Sequence, residues 1–402
     1  MANTLSVIDM VAAQAMKVAH EKATFIGTIN RSYDDSFAKT GAKIGSTLRI
    51  REPNKFTRRS GTRVMDVQDV TETTQTVTLA TQDGVDIRFN SAELALSIDE
   101  LTARYIEPAV SVLVSSIDGD CIADATKQVY NLVGTAGTAI GAVTSGFSDT
   151  SALGSARAKL NMGLAPKDGN RALQLDSVTM ANIANGIKPL MNPSADVSKA
   201  WREGFIARTA LADLYENDRV HSHTVGSDVT TVTTCGATAT GATYIDLSGA
   251  TMVSGDVFTI SGVYAVHPET KVAYAHLQQF VVTAVSGTSY SVSPTIHSTG
   301  AKQNVNSLPV SAAAVVAVGT ASTAYRQPLM YHKDFYAFVT ADLPLMDDAH
   351  KCTRITKDGL SLRVWQASDI RNDELLMRID ILYGKKILRP EWACRLIGSA
   401  SA

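Results

Sequence analysis

The sequence predicts an α+β host that carries an inserted all-β module. Three observations carry that reading. Residues 223–320 hold only six charged side chains, Asp228, Asp246, Asp256, Glu269, Lys271 and Lys302, and are otherwise rich in Thr, Ser, Ala, Val and Gly. The flanking chain is charged and alternates helical with strand-like periodicity. Between residues 44 and 88 a run of basic residues gives way to a run of acidic ones with few large apolar residues among them, which describes an arm without a core of its own.

Composition narrows the classes. At 402 residues, with 45% hydrophobic and 19% charged residues, the chain can bury a sizeable core without staples. Its net charge of −2 supplies little counterion-release drive, and nothing on the scale of the whole chain suggests a dedicated nucleic-acid binder. Cys121, Cys235, Cys352 and Cys394 are widely spaced and form no CxxC pair, so buried free thiols in a reducing compartment are expected. The first residues lack a basic and apolar leader, and no run of about 18 apolar residues marks a membrane span. The expectation is a chain made and folded in a cytoplasm.

Taken in order, residues 6–19 read as an amphipathic helix, with Ser6 and Asp9 at capping-box spacing and Ile8, Val11, Ala15 and Val18 on one face. Such a helix must dock its apolar face elsewhere. Residues 45–51 turn to strand character, ended by Pro53. Arg51, Lys55, Arg58, Arg59 and Arg63 follow; then the sign reverses at Asp66, Asp69, Glu72, Asp83 and Asp86. Alternation through Thr74, Thr76 and Thr78 gives the returning strand. A long hairpin with one basic and one acidic limb fits, its register helped by cross-strand charge pairs. The plainer reading is a solvated surface hairpin.

Residues 91–105 carry helix signals, and Pro108 opens a long helix to about residue 130. Val112, Leu113, Ile117, Cys121, Ala125 and Val129 form its apolar stripe. Gly134, Gly137 and Gly141 break the pattern as a flexible turn. Helices are expected at 151–162, 177–185 and 197–203, with a short strand at 172–175. In the low-charge segment, strands are expected at 243–247, 256–260, 279–282 and 289–292, punctuated by glycines, as in a closed sandwich or barrel. Residues 335–339 read as a buried strand. The dipeptide Asp358-Gly359 reads as a hairpin turn flanked by strands 360–365 and 375–383. Around Ile379 and Ile381, the charged Arg378 and Asp380 alternate as on a half-buried strand.

The search for chemistry finds little. His221 and His223 could share a metal from one strand face, but no third ligand is placed by spacing, and two polar residues at a domain boundary are the simpler reading. Asp118-Gly119-Asp120 with Asp124 is a fragment of a calcium loop inside a helical stripe and lacks the closing Glu. There is no GxSxG, Walker or HExxH motif. No enzyme activity, cofactor or metal is expected.

In order along the chain, several runs resemble the major capsid (coat) proteins of tailed double-stranded DNA phages, in the branch of short-tailed phages of the P-22 type with an inserted domain. These runs are Asn30-Arg31-Ser32-Tyr33-Asp34 with Arg49 to Pro53, Val67 to Glu72, Ile106-Glu107-Pro108-Ala109 with Ile117-Asp118, Gly255 to Val263, Leu277 to Thr283, Tyr331 to Asp334, and Leu382-Tyr383-Gly384 with Pro390-Glu391. Near Thr209-Ala210-Leu211 the family pattern has Gly where this chain has Ala210.

The resemblance implies the Hong Kong 97 type of capsid fold. Its parts would be an N-terminal arm (1–43), an extended β-hairpin loop (44–88), a peripheral domain with spine helix (89–133), a first axial part (134–222), an inserted β-barrel (223–321), a second axial part (322–350) and peripheral C-terminal strands (351–402). It implies a structural protein of the virion capsid, self-assembling as hexamers and pentamers into an icosahedral shell. Scaffolding protein, portal protein and weakly held double-stranded DNA would be its partners, with no membrane involved. Arg51, Lys55, Arg58, Arg59, Arg63, Asp66, Asp69 and Glu72 are the expected intersubunit contact. The alternatives are a bacterial nanocompartment shell of the same fold and a hydrolase with a β-sandwich binding module.

Overall fold

A computed structural model describes residues 13, 15–19, 23–31, 47–58, 61, 65, 67–69, 72–90, 106–141, 143–144, 147–148, 151–187, 212–229, 234–235, 238–346, 351–357 and 360–400. The expected helices at 91–105 and 197–203 and the turn at Ala210 lie outside these residues. The chain divides into two compact units.

The first unit comprises residues 1–51, 74–121 and 336–386. Residues 15–19 are helical and bury Ala15, Met16, Val18 and Ala19, whereas Ile8 and Val11 of the expected apolar face lie outside the described residues. A short helix, Thr24–Thr28, follows and buries Phe25 and Ile26. The spine helix, Glu107–Gln128, of which residues 107–121 belong to this unit, opens with Glu107 and closes with Lys127, each on the side its charge favours in the helix dipole. At 22 residues it is about 33 Å long. Val110, Leu113, Val114, Ile117, Cys121, Ile122 and Ala125 are buried, whereas Val112 is 65% exposed and does not belong to the stripe.

The unit's sheet is antiparallel. The strand Glu374–Ile387 lies at its centre, paired to Leu360–Asp369 on one side and to Thr81–Asn90 on the other. Lys351–Lys357 pairs with Leu360–Asp369 on the far side, from Lys351↔Gln366 to Lys357↔Leu360. The dipeptide Asp358-Gly359, itself outside the described residues, is thus flanked by 351–357 and 360–369, not by 360–365 and 375–383. The first of these strands is polar, Lys-Cys-Thr-Arg-Ile-Thr-Lys, with too little apolar alternation to announce itself. A second correction concerns Asp380, which is buried rather than solvated. Its carboxylate accepts from Arg363 Nη2 at 2.6 Å, from the directly opposed residue of the neighbouring strand. Across the other edge stands Gly84, where a Cβ would lie 2.4 Å from Asp380 Oδ1 and 2.8 Å from the Ile379 carbonyl. Only glycine leaves the carboxylate its space.

The second unit comprises residues 52–73, 122–335 and 387–402 and holds two larger sheets, beside the two-stranded pairs Ser222–Thr224 with Ala324–Arg326 and Val143–Thr144 with Phe147–Ser148. The first runs in the order Leu132–Val133, Ala393–Leu396, Leu329–His332, Arg171–Leu175, Asp213–Glu216. Its outer pairs are parallel and its inner pairs antiparallel. Helices Ser151–Met162 and Ser177–Ile187 contribute Leu153, Ala156, Leu160 and Ile183 to a core with Leu173, Leu175, Met330 and Leu396. Asp176 starts the second helix by accepting from Thr179 N. Gly134 has φ +103, and a Cβ there would meet the Ile397 carbonyl at 2.3 Å; this glycine marks a close chain crossing, not a flexible turn.

The low-charge segment forms the other sheet. Its order is Thr234–Cys235, Ala242–Ser248, Ser289–Ile296, Ala273–Ser286, Val257–Val266, Val315–Ala317, antiparallel throughout. All four expected strands are present, the longest at 14 residues. Among the described residues no ladder joins the first strand to the last. Phe258 and Phe280, paired across strands with ring centroids 5.9 Å apart, sit in a core with Ile245, Ile260, Val282, Tyr290 and Ile296. The same core includes Leu132 and Ile397 from outside the segment.

Candidate assembly surface

The extended arm begins where Thr47–Arg51 pairs with Thr74–Thr78 in a regular antiparallel ladder, Arg51 opposite Thr74. Two cross-links continue beyond the ladder. Glu52 N donates to the Thr73 carbonyl at 2.9 Å, and Thr73 Oγ1 donates back to Glu52 Oε2 at 3.0 Å. Further out, Gln68 imitates a backbone rung: Thr57 N donates to its Oε1 at 2.9 Å, and its Nε2 donates to the Thr57 carbonyl at 2.6 Å. A side-chain amide offers the same donor and acceptor as a peptide unit, so it extends the pairing where strand geometry has ended.

Of the expected contact residues, Arg51, Lys55, Arg58, Asp69 and Glu72 are exposed along this arm, whereas Arg59, Arg63 and Asp66 lie outside the described residues. Two members of the acidic run have other partners. Asp86 takes a two-pronged hydrogen bond from Arg378, at 2.7 and 2.9 Å, and Asp83 accepts from Tyr383 Oη at 2.8 Å. Both carboxylates face the strand Glu374–Ile387, not the basic limb as the charge pattern suggested. Hydrogen bonding to Arg378 holds the Asp86 carboxyl below the usual carboxylate range.

Charge reasoning passed over three apolar residues on the arm. Phe56 is 60% exposed, Met65 83% and Val67 78%. Their signal is in the sequence: large apolar side chains inside a charged run with no core to receive them.

Asp118, Asp124 and His223, which spacing alone offers as metal ligands, have structural partners. Asp118 is fully buried and accepts from Phe25 N at 3.0 Å, Ile26 N at 2.9 Å and Thr24 Oγ1 at 3.2 Å, which caps the helix Thr24–Thr28. Asp124 accepts from Gln128 Nε2. The His221 and His223 rings are 6.3 Å apart, but His223 Nε2 bonds Asp256 Oδ1 at 2.7 Å. The other Asp256 oxygen accepts from Gly226 N and Val253 N. Among the described residues no cluster of His, Cys, Asp and Glu could hold a metal ion, and no helix is long and apolar enough to cross a membrane.

A long spine helix, a strand-rich peripheral sheet, an arm with outward apolar residues and a second unit with its own β-module define a shell subunit of the phage capsid class, in the Hong Kong 97 type of fold. A solved structure from Mycobacterium phage Che8 is similar over 93% of this chain and 90% of that one, with TM-score 0.50 at 12% identity. The capsid of the cyanophage P-SCSP1u is similar over 89% and 84%, with TM-score 0.46 at 13% identity. The CUS-3 coat protein I-domain is 30% identical over 22% of this chain and 94% of that one, with TM-score 0.19. No curated protein sequence matches. The P22 coat protein family, gene protein 5, matches residues 60–398, and the chain belongs to that family. It is a phage major capsid protein, a structural component of the virion capsid that assembles with copies of itself.

Proposed function

We propose that copies of this chain, as hexamers and pentamers, close an icosahedral shell around phage double-stranded DNA, and that the extended arm makes the contact between neighbours. The observation that carries this reading is the exposed trio Phe56, Met65 and Val67 on an arm cross-linked by Gln68 and Thr73. Burying each side chain against a second copy is worth about 1.5–3 kcal/mol. Arg51, Lys55, Arg58, Arg59 and Arg63, with Asp66, Asp69 and Glu72, set the register of that contact through charges of both signs. A net charge of −2 suits a container in weak, non-specific contact with its DNA.

The role is structural, without turnover. Assembly takes place in the host cytoplasm with scaffolding protein and around a portal protein. Residues 223–321 act as a module inserted between the two axial parts, and the remaining segments take the boundaries given above.

Purified chain mixed with scaffolding protein tests this. Closed particles are expected in electron micrographs, and the triple variant Phe56→Ser, Met65→Ser, Val67→Ser is expected to keep its monomer melting temperature but to need at least about tenfold more protein to assemble, a shift of about 1.4 kcal/mol. Particles formed equally well by the variant would sink the arm as the contact. Persistent wild-type monomers would sink the shell reading.

A further inference from the structure

One buried cation is left half-paired. Arg395 lies on the strand Ala393–Leu396 and is fully buried. Its Nη1 donates to the Gly255 carbonyl and to Gln327 Oε1, both at 2.9 Å. Its Nε and Nη2 have no acceptor among the described residues. Those two nitrogens form the edge by which a guanidinium takes an anion in two parallel hydrogen bonds. The buried carboxylate nearby is already committed, since Asp256 gives one oxygen to His223 and the other to Gly226 N and Val253 N.

His221 converges on the same place. Its carbonyl accepts from Gln327 N at 3.0 Å, the residue whose side chain holds Arg395, and its Nε2 is also buried with no partner among the described residues. Lys127 stands at the rim: it is exposed, and a Cβ on Gly255 would lie 3.3 Å from its Cγ. Burial pushes the Arg395 guanidinium down to about 9, against the attraction of Asp256. Burial, then Lys127, His223 and Arg395, push His221 down to about 4. Burial is the main cause in both groups, and at His221 the neighbouring cations add to it.

We propose that the Nε/Nη2 edge of Arg395, with His221 Nε2 beside it and Lys127 at its mouth, binds a small inorganic anion. The site is at the root of the low-charge segment, between His221 and Gln327, which flank it, and the C-terminal strand. An anion there completes the donors of Arg395 and ties Gly255 and Gln327, which the other edge already holds, to a neutral centre. Its geometry suits a halide or a tetrahedral oxyanion.

The test is thermal unfolding of the full chain at constant ionic strength, with potassium gluconate replaced stepwise by potassium bromide, or in a second series by inorganic phosphate. A saturable rise in melting temperature is expected for at least one probe, following mass action. Arg395→Lys, which removes the two-pronged edge, should lose the saturable part. Lys127→Gln, on the surface, should move its midpoint to anion concentrations roughly two- to fivefold higher, the scale of an exposed charge. If Arg395→Lys does not fold, the Lys127→Gln midpoint carries the comparison. The proposal is overturned by no saturable rise with either probe, which assigns the edge to water, by a rise undiminished in Arg395→Lys, or by an unmoved Lys127→Gln midpoint.

Discussion

Asp118 is a carboxylate in the middle of a helix stripe, fully buried, and it is tolerated because three donors from a segment more than 90 residues away converge on it. Asp118→Ala should cost roughly 2–4 kcal/mol in denaturant unfolding, because two buried backbone N–H groups lose their acceptor; Asp118→Asn, which keeps one oxygen, should cost less. The sequence displays only Asp-Gly-Asp at this point, and a partner so distant along the chain leaves no local trace. Gly84→Ala should be comparably damaging, through collision with Asp380 rather than through backbone conformation. The Asp86–Arg378 pair gives a pH signature. The folded-state value of Asp86 is depressed, so its contribution is present above the unfolded value of about 3.9 and is lost as pH falls through the folded one. Stability of Asp86→Asn measured from pH 6 to 2 should fall less steeply than that of the parent; identical slopes would refute the assignment. Among the thiols, burial pushes Cys394 up to about 12 and leaves Cys121 enclosed, whereas Cys352 is half-buried on a sheet strand. Peptide mapping after maleimide treatment of the native chain should find Cys352 modified and Cys121 and Cys394 untouched. The expectation of wholly buried thiols therefore needs correction at Cys352.

At the scale of elements, strong periodicity was readable and polar pairing was not. The spine helix, the helices 151–162 and 177–187, and four strands of the low-charge segment announced themselves through apolar spacing. The strand Lys351–Lys357 did not, because its residues are mostly Lys, Arg and Thr, and neither did the pairing of Thr81–Asn90 with the chain's last long strand, about 290 residues away. On the arm, the ladder 47–51 with 74–78 follows from alternation, but the Thr57–Gln68 rung depends on a single amide whose role shows only in three dimensions. Gln68→Ala should loosen the arm without affecting the sheets: amide exchange near Thr57 should quicken while the melting temperature holds within about a degree or two. Reversing charge with Arg58→Glu and Arg59→Glu should weaken assembly more than subunit folding. Equal loss of monomer stability would place those charges in an intrachain role instead.

For the molecule as a whole, the informative feature is the core that the low-charge segment shares with its surroundings. Leu132 and Ile397 belong to it, Gln279 exchanges two hydrogen bonds with the Leu132 backbone, and Arg395 holds the Gly255 carbonyl. Several of the segment's six charges also have internal duties: Asp256 fastens its entry, Lys271 donates to the carbonyls of Ala301 and Gln303, and Asp246 accepts from Ser289. Composition revealed that the segment is a separate kind of sequence; it could not reveal that the boundary in composition is not a boundary in packing. Removing residues 226–318 should therefore destabilise what remains, with Leu132 and Ile397 each uncovered at a cost of about 1.5–3 kcal/mol and Arg395 stripped of a partner. A remnant that melted and assembled like the parent would refute this. The shared core also limits how such modules can be exchanged among capsids. A low-charge segment moved alone into another shell protein arrives without its floor, so recombination that succeeds must carry the pairing residues around 132 and 395–397 with it, and the module and its socket should change together over evolutionary time.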